Sequence, residues 1–528
     1  MFRENIPTKQ TSFSDYDYNL SDRRKKQLEN GWPGKFRDNI FYKLDELKFA
    51  PMYHESLGAP NFPVNILMGL EVLKHLFDVS DLELFELFHF DVRYLKAFDI
   101  KAVGDTDLAD RTYYNFRERV VNYINDTGHN PVAEVFDELV ENFVEVAELD
   151  IDVQRMDSTL IEANIKHLSR IQLMRKVLSD FIEKLNQGQK NRIHKNTLKI
   201  LDDKEFDEYL DALGKEKVLN KLLGKLNSVK EHFKNDNSVN QSRAYKQLER
   251  VIEDQSITTS RDLIAKDDSE IEPSSLQNPH DEDATYRKKG KKSSQGYALN
   301  ITETASPDNP AQMITDVSLE ANIFSDPKFL QTRLPEIKYK TPLSRLIVDG
   351  SYYGPDSLKK ADEEEVEIIP TALTGKTPKY STAEFEVDDN NNIELCPGGF
   401  TPLKTKYLED TETIAAWFEK SKCLNCGYQD KCPVKEQKKN MTVRFKTPRY
   451  ERDKLRAKFS DPEYKRLQKQ RPAIEGTFSA LKRSQGLNRF KTVGLIKNRC
   501  ISMFSALGYN LKQLIKVEKV RSKPGFGT

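Results

Sequence analysis

The sequence predicts an α/β protein: a mixed sheet flanked by helices, preceded by an all-helical unit and interrupted by insertions. Three observations carry that prediction. Runs of strand length and character fall at residues 149–160, 296–304, 313–322, 345–354 and 366–373. Stretches of helical period lie before, between and after them. A long charged helical stretch separates the first strand from the rest, so the sheet is assembled from distant parts of the chain. At 528 residues the chain has room for about three or four domains.

Residues 1–148 read as the N-terminal helical unit. Within it, VNILMGLEVLKHLF and the run containing Val132, Val135, Phe136, Leu139, Phe143 and Val146 space apolar residues every 3.6 positions. The pattern then changes. LDIDVQRMDSTL (149–160) alternates, so Ile151, Val153 and Arg155 share a face with Asp157, which is expected to emerge at the strand's end. Residues 161–255 return to charged amphipathic helix, with Leu219, Leu222, Leu223, Leu226, Val229 and Phe233 in one stripe, and read as an inserted bundle or coiled hairpin. Residues 256–295 are rich in Ser, Pro and charge and read as a linker or mobile loop. The strands of 296–373, with the helix-like PKFLQTRLPEIKYK among them, join 149–160 and the helices of 460–515 as the sheet-bearing core. An insertion spans 374–459, a basic tail covers 516–528, and no internal repeat is found.

Composition narrows the classes. The chain is 37% hydrophobic and 31% charged, with mean hydropathy −0.69. No apolar run approaches the ~20 residues that span a bilayer, and the first residues, MFRENIPTKQTSFSDYDYN, lack the apolar centre of a signal peptide. A soluble intracellular protein is expected. Five cysteines do not make a disulfide framework in a chain of this size. Net charge is zero, but the average conceals an asymmetry. Residues 433–528 hold 25 Lys and Arg against 7 Asp and Glu, whereas 131–152 hold eight acids and no Lys or Arg. A basic tract interleaved with Phe445, Tyr450, Tyr464 and Phe490 suits a polyanion such as nucleic acid. There is no P-loop and no G-x-S-x-G. The eight histidines show no ligand spacing, and Ser351 and Tyr352 have no obvious activating base.

Two constellations could carry chemistry. Asp349 follows the apolar run of LIVDG, Asp157 stands in the similar MDST, and Glu475 lies in RPAIEGTFSALKRSQ. At about 100° per residue, Arg471, Glu475, Phe478 and Lys482 fall on one helical face. That face is either a solvated surface of mixed charge or a carboxylate held between two cations; Phe478 on it suits core packing. Three carboxylates offer hard oxygen ligands for Mg²⁺ or Mn²⁺, and two such ions suit phosphodiester chemistry. The second constellation is Cys396, then Cys423-x2-Cys426-x5-Cys432, whose four thiols could close a structural Zn²⁺ site or remain buried free thiols. Cys500, on an apolar helix, reads as core.

In combination these residues resemble the DDE class of insertion-sequence transposases. Arg471-x3-Glu475-x6-Lys482 matches the arginine, glutamate and lysine of that family's terminal Y-R-E-K signature. DSTLIEAN resembles its first-aspartate segment and VDGSYYG its second, while DEDATYRKKGKKSSQGYALNITET resembles the approach to the second core strand. The helices through DTDLADRTYYNFRERV resemble the domain preceding the core in one branch, which also carries a comparable cysteine cluster. The signature tyrosine is missing: Gln468 stands in its place, with Tyr464 one helical turn earlier as the candidate substitute.

The resemblance implies an RNase H-like core, with Asp157, Asp349 and Glu475 catalytic and holding two Mg²⁺ (or Mn²⁺), and with Arg471 and Lys482 holding DNA phosphates. It implies attack by water on a phosphodiester bond, then attack by the freed 3′-OH on target DNA, by a dimer pairing two terminal inverted repeats. The expected setting is a prokaryotic cytoplasm, at the nucleoid, with no membrane partner. A domesticated nuclease of the same fold and a non-catalytic DNA-binding regulator are the alternatives; terminal repeats flanking the gene would separate the first from a transposase.

Overall fold

A computed structural model describes residues 1–5, 15–199, 214–258, 263–290, 292–373 and 375–521. The N-terminal unit is helical, as its apolar spacing predicts. Its main helices are α1 (Trp32–Asn39), α2 (Val64–Phe77), α3 (Asp110–Thr127) and α4 (Pro131–Ala147). Helix α4 starts where its sequence says it should. Asn130 accepts from the amides of Val132 and Ala133 at 3.1 and 3.2 Å, and Pro131 occupies a first-turn position that needs no N–H donor.

The chain then enters the sheet. Strand β1 (Val153–Glu162) is followed by the insertion helices α5 (Arg170–Lys184), α6 (Lys215–Phe233) and α7 (Arg243–Gln255). The predicted leucine stripe of α6 is buried against α5 and α7 in a core of its own, separate from that of the sheet. Residues 200–213 of the predicted insertion lie outside the described residues. Next come β2 (Thr285–Lys289), β3 (Lys292–Thr304), β4 (Ile314–Ala321), α8 (Asp326–Lys340), β5 (Arg345–Val348), α9 (Pro355–Glu363) and β6 (Glu367–Pro370).

These strands form one mixed sheet in the order β2–β3–β1–β5–β6, with β4 also paired to β3. Strand β1 is antiparallel to β3 and parallel to β5, β4 is antiparallel to β3, and β6 is parallel to β5. The molecule is therefore the mixed α/β protein that the strand pattern predicts. Two expectations are corrected. The strand predicted at 149–160 starts at Val153 and runs to Glu162, so Asp157 sits in its middle, not at its end. The stretch 256–295 is not a plain linker: β2 pairs with β3, and Ser275, Leu276, Asn278, Asp281 and Ala284 are buried.

Beyond β6, residues 375–446 include a second, four-stranded antiparallel sheet, made of β7 (Lys404–Leu408), β8 (Thr413–Phe418), β9 (Lys435–Glu436) and β10 (Met441–Lys446). One face of it packs Ile414, Phe418, Val443 and Phe445 into a small core with Phe385 and Cys423. Four helices close the chain: α10 (Thr447–Lys458), α11 (Pro462–Gln468), α12 (Ala473–Ser484) and α13 (Leu495–Arg521). Helix α13 packs against α2, α4 and β4, and one continuous core joins the N-terminal helices, one face of the sheet, α12 and α13. The last seven residues of the predicted basic tail are outside the described residues. No described helix is long and apolar enough to cross a membrane.

Candidate active site

The parallel register of β1 and β5 places Met156 opposite Val348, so the next residue on each strand is an aspartate, Asp157 beside Asp349. Asp349 directly follows β5 and caps the turn Gly350–Tyr352, its carboxylate accepting from the Gly350 amide at 2.6 Å. Only glycine fits after it. A Cβ on Gly350 would lie 2.5 Å from the carbonyl oxygen of Ala372, inside contact distance with a backbone atom. Beneath this turn the buried Tyr352 hydroxyl accepts from the Asn300 amide at 2.8 Å.

Helix α12 brings the third carboxylate. Lys482 donates to Thr159 Oγ1 at 2.6 Å and to the Leu160 carbonyl at 2.9 Å, fastening α12 to β1. Burial lowers the pKa of this ammonium from its ordinary value. Deeper, Arg155 of β1 and Glu303 of β3 form an ion pair with 0% exposure of either side chain. Arg155 Nε donates to Glu303 Oε1 at 2.7 Å, and its Nη1 donates to the Gln470 carbonyl at 2.6 Å. Thr477 of α12 donates to the other Glu303 oxygen at 2.6 Å. Burial pushes the Glu303 carboxyl up from its ordinary value, with Arg155 opposing. The pair thus grips α12 and the residue just before Arg471.

Arg471 stands at the centre of the site. Its Nη2 donates to Asp157 Oδ2 at 2.7 Å and lies 3.7 Å from Asp349 Oδ2, and its Nη1 donates to Glu475 Oε1 at 2.9 Å. Three acids from β1, the exit of β5 and α12 therefore meet one guanidinium. The structure brings together Asp157, Asp349, Glu475 and Arg471; it puts Lys482 further along β1, and Phe478 in the main core as its sequence suggests. The Asp157 side chain is 14% exposed, against 46% for Asp349 and 68% for Glu475, so the cluster has a buried root and an open mouth. Burial raises the Asp157 carboxyl to about 6, against the pull of Arg471. One guanidinium among three ionised carboxylates leaves an excess of negative charge, and the donors are hard oxygens; both fit a divalent cation such as Mg²⁺.

Some of the site was not read from the sequence. Asp326, at the start of α8, accepts from Ser158 Oγ at 2.6 Å and adds to the raising of Asp157. The Arg155–Glu303 pair was missed as well. Its signal was a charge set in each of two otherwise buried strand segments, VQRM and NITET. Tyr464, the candidate substitute for the signature tyrosine, is buried. Its ring is buried among Val153, Ile347 and Ile369 of the sheet and Leu467 of α11, and it stacks on Phe459. Gln468, in the signature position, donates to the Pro370 carbonyl at the end of β6.

The cysteines form a second centre. Cys396, Cys423, Cys426 and Cys432 are all free thiols and line one cavity of about 20 Å³ with Phe385, Phe400 and Val443. That is room for a single water-sized occupant. Burial pushes the Cys432 thiol up to about 11, with the neighbouring cysteines adding to the shift, and raises Cys423 likewise. A four-thiol donor set around one small void fits Zn²⁺ in kind. Among the described residues, no group of three His, Cys, Asp or Glu side chains stands ready-placed to hold a metal ion, so both centres would have to draw their ligands together. Cys500 is buried in the main core, where its thiol is pushed up to about 12.

Residues 395–515 match the family model described as a transposase DDE domain. The matched segment begins at the cysteine-bearing unit and includes Arg471, Glu475 and Lys482; Asp157 and Asp349 lie before it. No curated protein and no solved structure gives a match. The matched segment, with the Arg471–Glu475–Lys482 signature inside it, supports a DDE-class transposase.

Proposed function

We propose that this protein is a transposase that cuts DNA at the ends of its own insertion sequence and joins those ends to target DNA. The observation that carries the reading is the meeting of Asp157, Asp349 and Glu475, from three distant parts of the chain, around Arg471. The sheet supports it: three antiparallel strands followed by two parallel ones, in the order β4–β3–β1–β5–β6, is the arrangement of an RNase H-like core.

In this proposal Asp157, Asp349 and Glu475 would hold Mg²⁺ or Mn²⁺, two per site. When bound, such ions activate the attacking oxygen and stabilise the leaving one. The chain's own part is placement. The β1–β5 register fixes the two aspartates side by side, while the Arg155–Glu303 pair and Lys482 fix α12 and hence Glu475. Arg471 offsets part of the charge of the three acids, and beside bound cations its guanidinium would hold a DNA phosphate. Lys482 would reach a phosphate only by giving up Thr159 and Leu160. The helices before β1 would bind element ends, two copies would pair two ends, and the four cysteines would hold one structural Zn²⁺. The protein would act in the cytoplasm of a prokaryote, on the nucleoid DNA.

The test is metal-dependent cleavage of DNA carrying the gene's flanking sequences. Asp157→Asn, Asp349→Asn and Glu475→Gln should each abolish it while leaving DNA binding in place. Cleavage without joining to target DNA would instead indicate a nuclease of this fold.

A further inference from the structure

The second sheet has a face that its own core does not use. Side chains alternate across a strand, so Ile414, Phe418, Val443 and Phe445 turn inward while Lys404, Lys406, Trp417, Arg444 and Lys446 share the opposite face. Lys435 of β9, paired with Thr442, joins them on that side. All five cations are exposed. Strand geometry spaces Lys404 from Lys406, and Arg444 from Lys446, by roughly 7 Å, and sets β7 and β10 about 10 Å apart across β8.

Among the described residues these five cations are unpaired, as Lys431, Lys438, Lys439 and Lys454 nearby also are; what distinguishes the five is their shared sheet face. No carboxylate among the described residues makes a salt bridge with Lys404, Lys406, Lys435, Arg444 or Lys446. On helix α10, which follows directly, Arg449 and Arg456 pair with Asp453 and Lys458 pairs with Glu367. Lys420 and Lys422, in the same small unit, pair with Glu436 and Glu419. Acids therefore neutralise these neighbouring cations but leave the sheet face alone. Glu436, next to Lys435 on β9, is paired with Lys420, and Glu409, Asp410 and Glu412 sit in the β7–β8 turn at one end of the face. Five like charges on so small an area repel one another, which favours an anionic partner.

The kind of anion follows from Trp417. Its ring is half-buried, with the Lys404 ammonium 5.8 Å and the Arg444 guanidinium 6.0 Å from its centre. Flanked in this way, the ring supports the two cations and is not a free plate for stacking a base. What the face offers outward is charge at regular spacing, suited to phosphate oxygens and blind to sequence.

We propose that this face of β7, β8, β9 and β10 is a landing surface for the phosphate backbone of duplex DNA, distinct from the acid site. It rests on the reading that the chain handles DNA. The sequence-independent contact suits DNA flanking a specifically bound end, or target DNA.

The experiment compares Lys404→Gln/Arg444→Gln with Lys420→Gln/Lys422→Gln, which removes the same charge outside the face. Fluorescence anisotropy of a short labelled duplex is followed across a salt series with full-length protein. The face variant should weaken binding several-fold and lower the log–log salt slope by about two, roughly one per lost phosphate contact, while the control pair stays near wild type. Because Lys404, Arg444 and Lys422 are exposed and Lys420 is only half-buried, both variants should fold, and circular dichroism checks that they do. If wild type and face variant bind with equal slopes, the surface is refuted and the transposase reading stands. If the face variant loses single-stranded but not duplex binding, the duplex assignment is refuted. If wild type binds no DNA, both readings fail.

Discussion

Glu303→Gln is the sharpest perturbation of the frame that holds the site. It keeps the shape of the side chain and removes its charge, leaving Arg155 buried with no counter-ion. Both side chains are 0% exposed, so solvent cannot screen the loss. Breaking a buried pair from one side costs about 3–5 kcal/mol, a large share of the ~5–15 kcal/mol that stabilises a typical domain. The hydrogen bond from Thr477 to Glu303 is already part of that figure, because the charge strengthens it. Arg155→Met should cost a similar amount. The double variant Arg155→Met/Glu303→Leu should recover much of the loss, since no charge is then left without a partner. Urea unfolding of the four proteins reads this directly, with m-values checked for equality. Function should follow. With Arg155 no longer held, its grip on the Gln470 carbonyl loosens, and Arg471 and Glu475 drift from the aspartates. Cleavage should therefore fall further than DNA binding. A Glu303→Gln loss under about 1 kcal/mol, or single losses that simply add, would refute the idea that this pair anchors α12.

Three further outcomes follow from the same geometry. Burial raises the Asp157 carboxyl from 3.8 to about 6, so folding favours its protonated form; that contribution is complete below about pH 4 and lost as pH rises through 6. In chelator, Asp157→Asn should therefore be up to about 3 kcal/mol more stable than wild type above pH 6 and no more stable below pH 4; a less stable variant near pH 7.5 would contradict this. Metal analysis of purified protein should find about one zinc per chain, lost on Cys423→Ser or Cys432→Ser, and fully folded zinc-free protein would remove the zinc proposal. Arg471→Ala should lower metal-free stability by unbalancing three acids and should weaken cleavage more than duplex binding, whereas an unchanged cleavage rate would reduce Arg471 to a surface charge.

Much of the fold was legible because it is written in local periods. The spacing of Val132, Val135, Phe136 and Leu139 gives α4 directly, and the fully apolar run before Asp349 gives β5. Asp349 could be named from its setting, since an aspartate directly after a buried apolar strand stands out against its neighbours. What local pattern could not give was register. That Asp157 sits beside Asp349 depends on pairing Met156 with Val348, residues far apart in sequence. For the same reason Asp157 was expected at a strand end: MDST looks like an exit, yet β3 continues pairing with β1 as far as Glu162. The stretch 256–295 looked like a linker because Ser, Pro and charge dominate it, but β2 is an edge strand and tolerates that composition while pairing on β3. Arg155 and Glu303 were hidden by the opposite effect. A charge in a strand suggests a solvent face, and only the fold shows that each neutralises the other in the interior.

The most direct test of the central claim is a cleavage assay on a DNA fragment spanning the gene and its flanks, run with Mg²⁺, with Mn²⁺ and with chelator. The wild-type protein should nick or cut that DNA at the element ends only with metal. Asp157→Asn, Asp349→Asn and Glu475→Gln should bind the same fragment and leave it intact. Wild-type cleavage in chelator, or near-native cleavage by any of the three variants, would contradict the account.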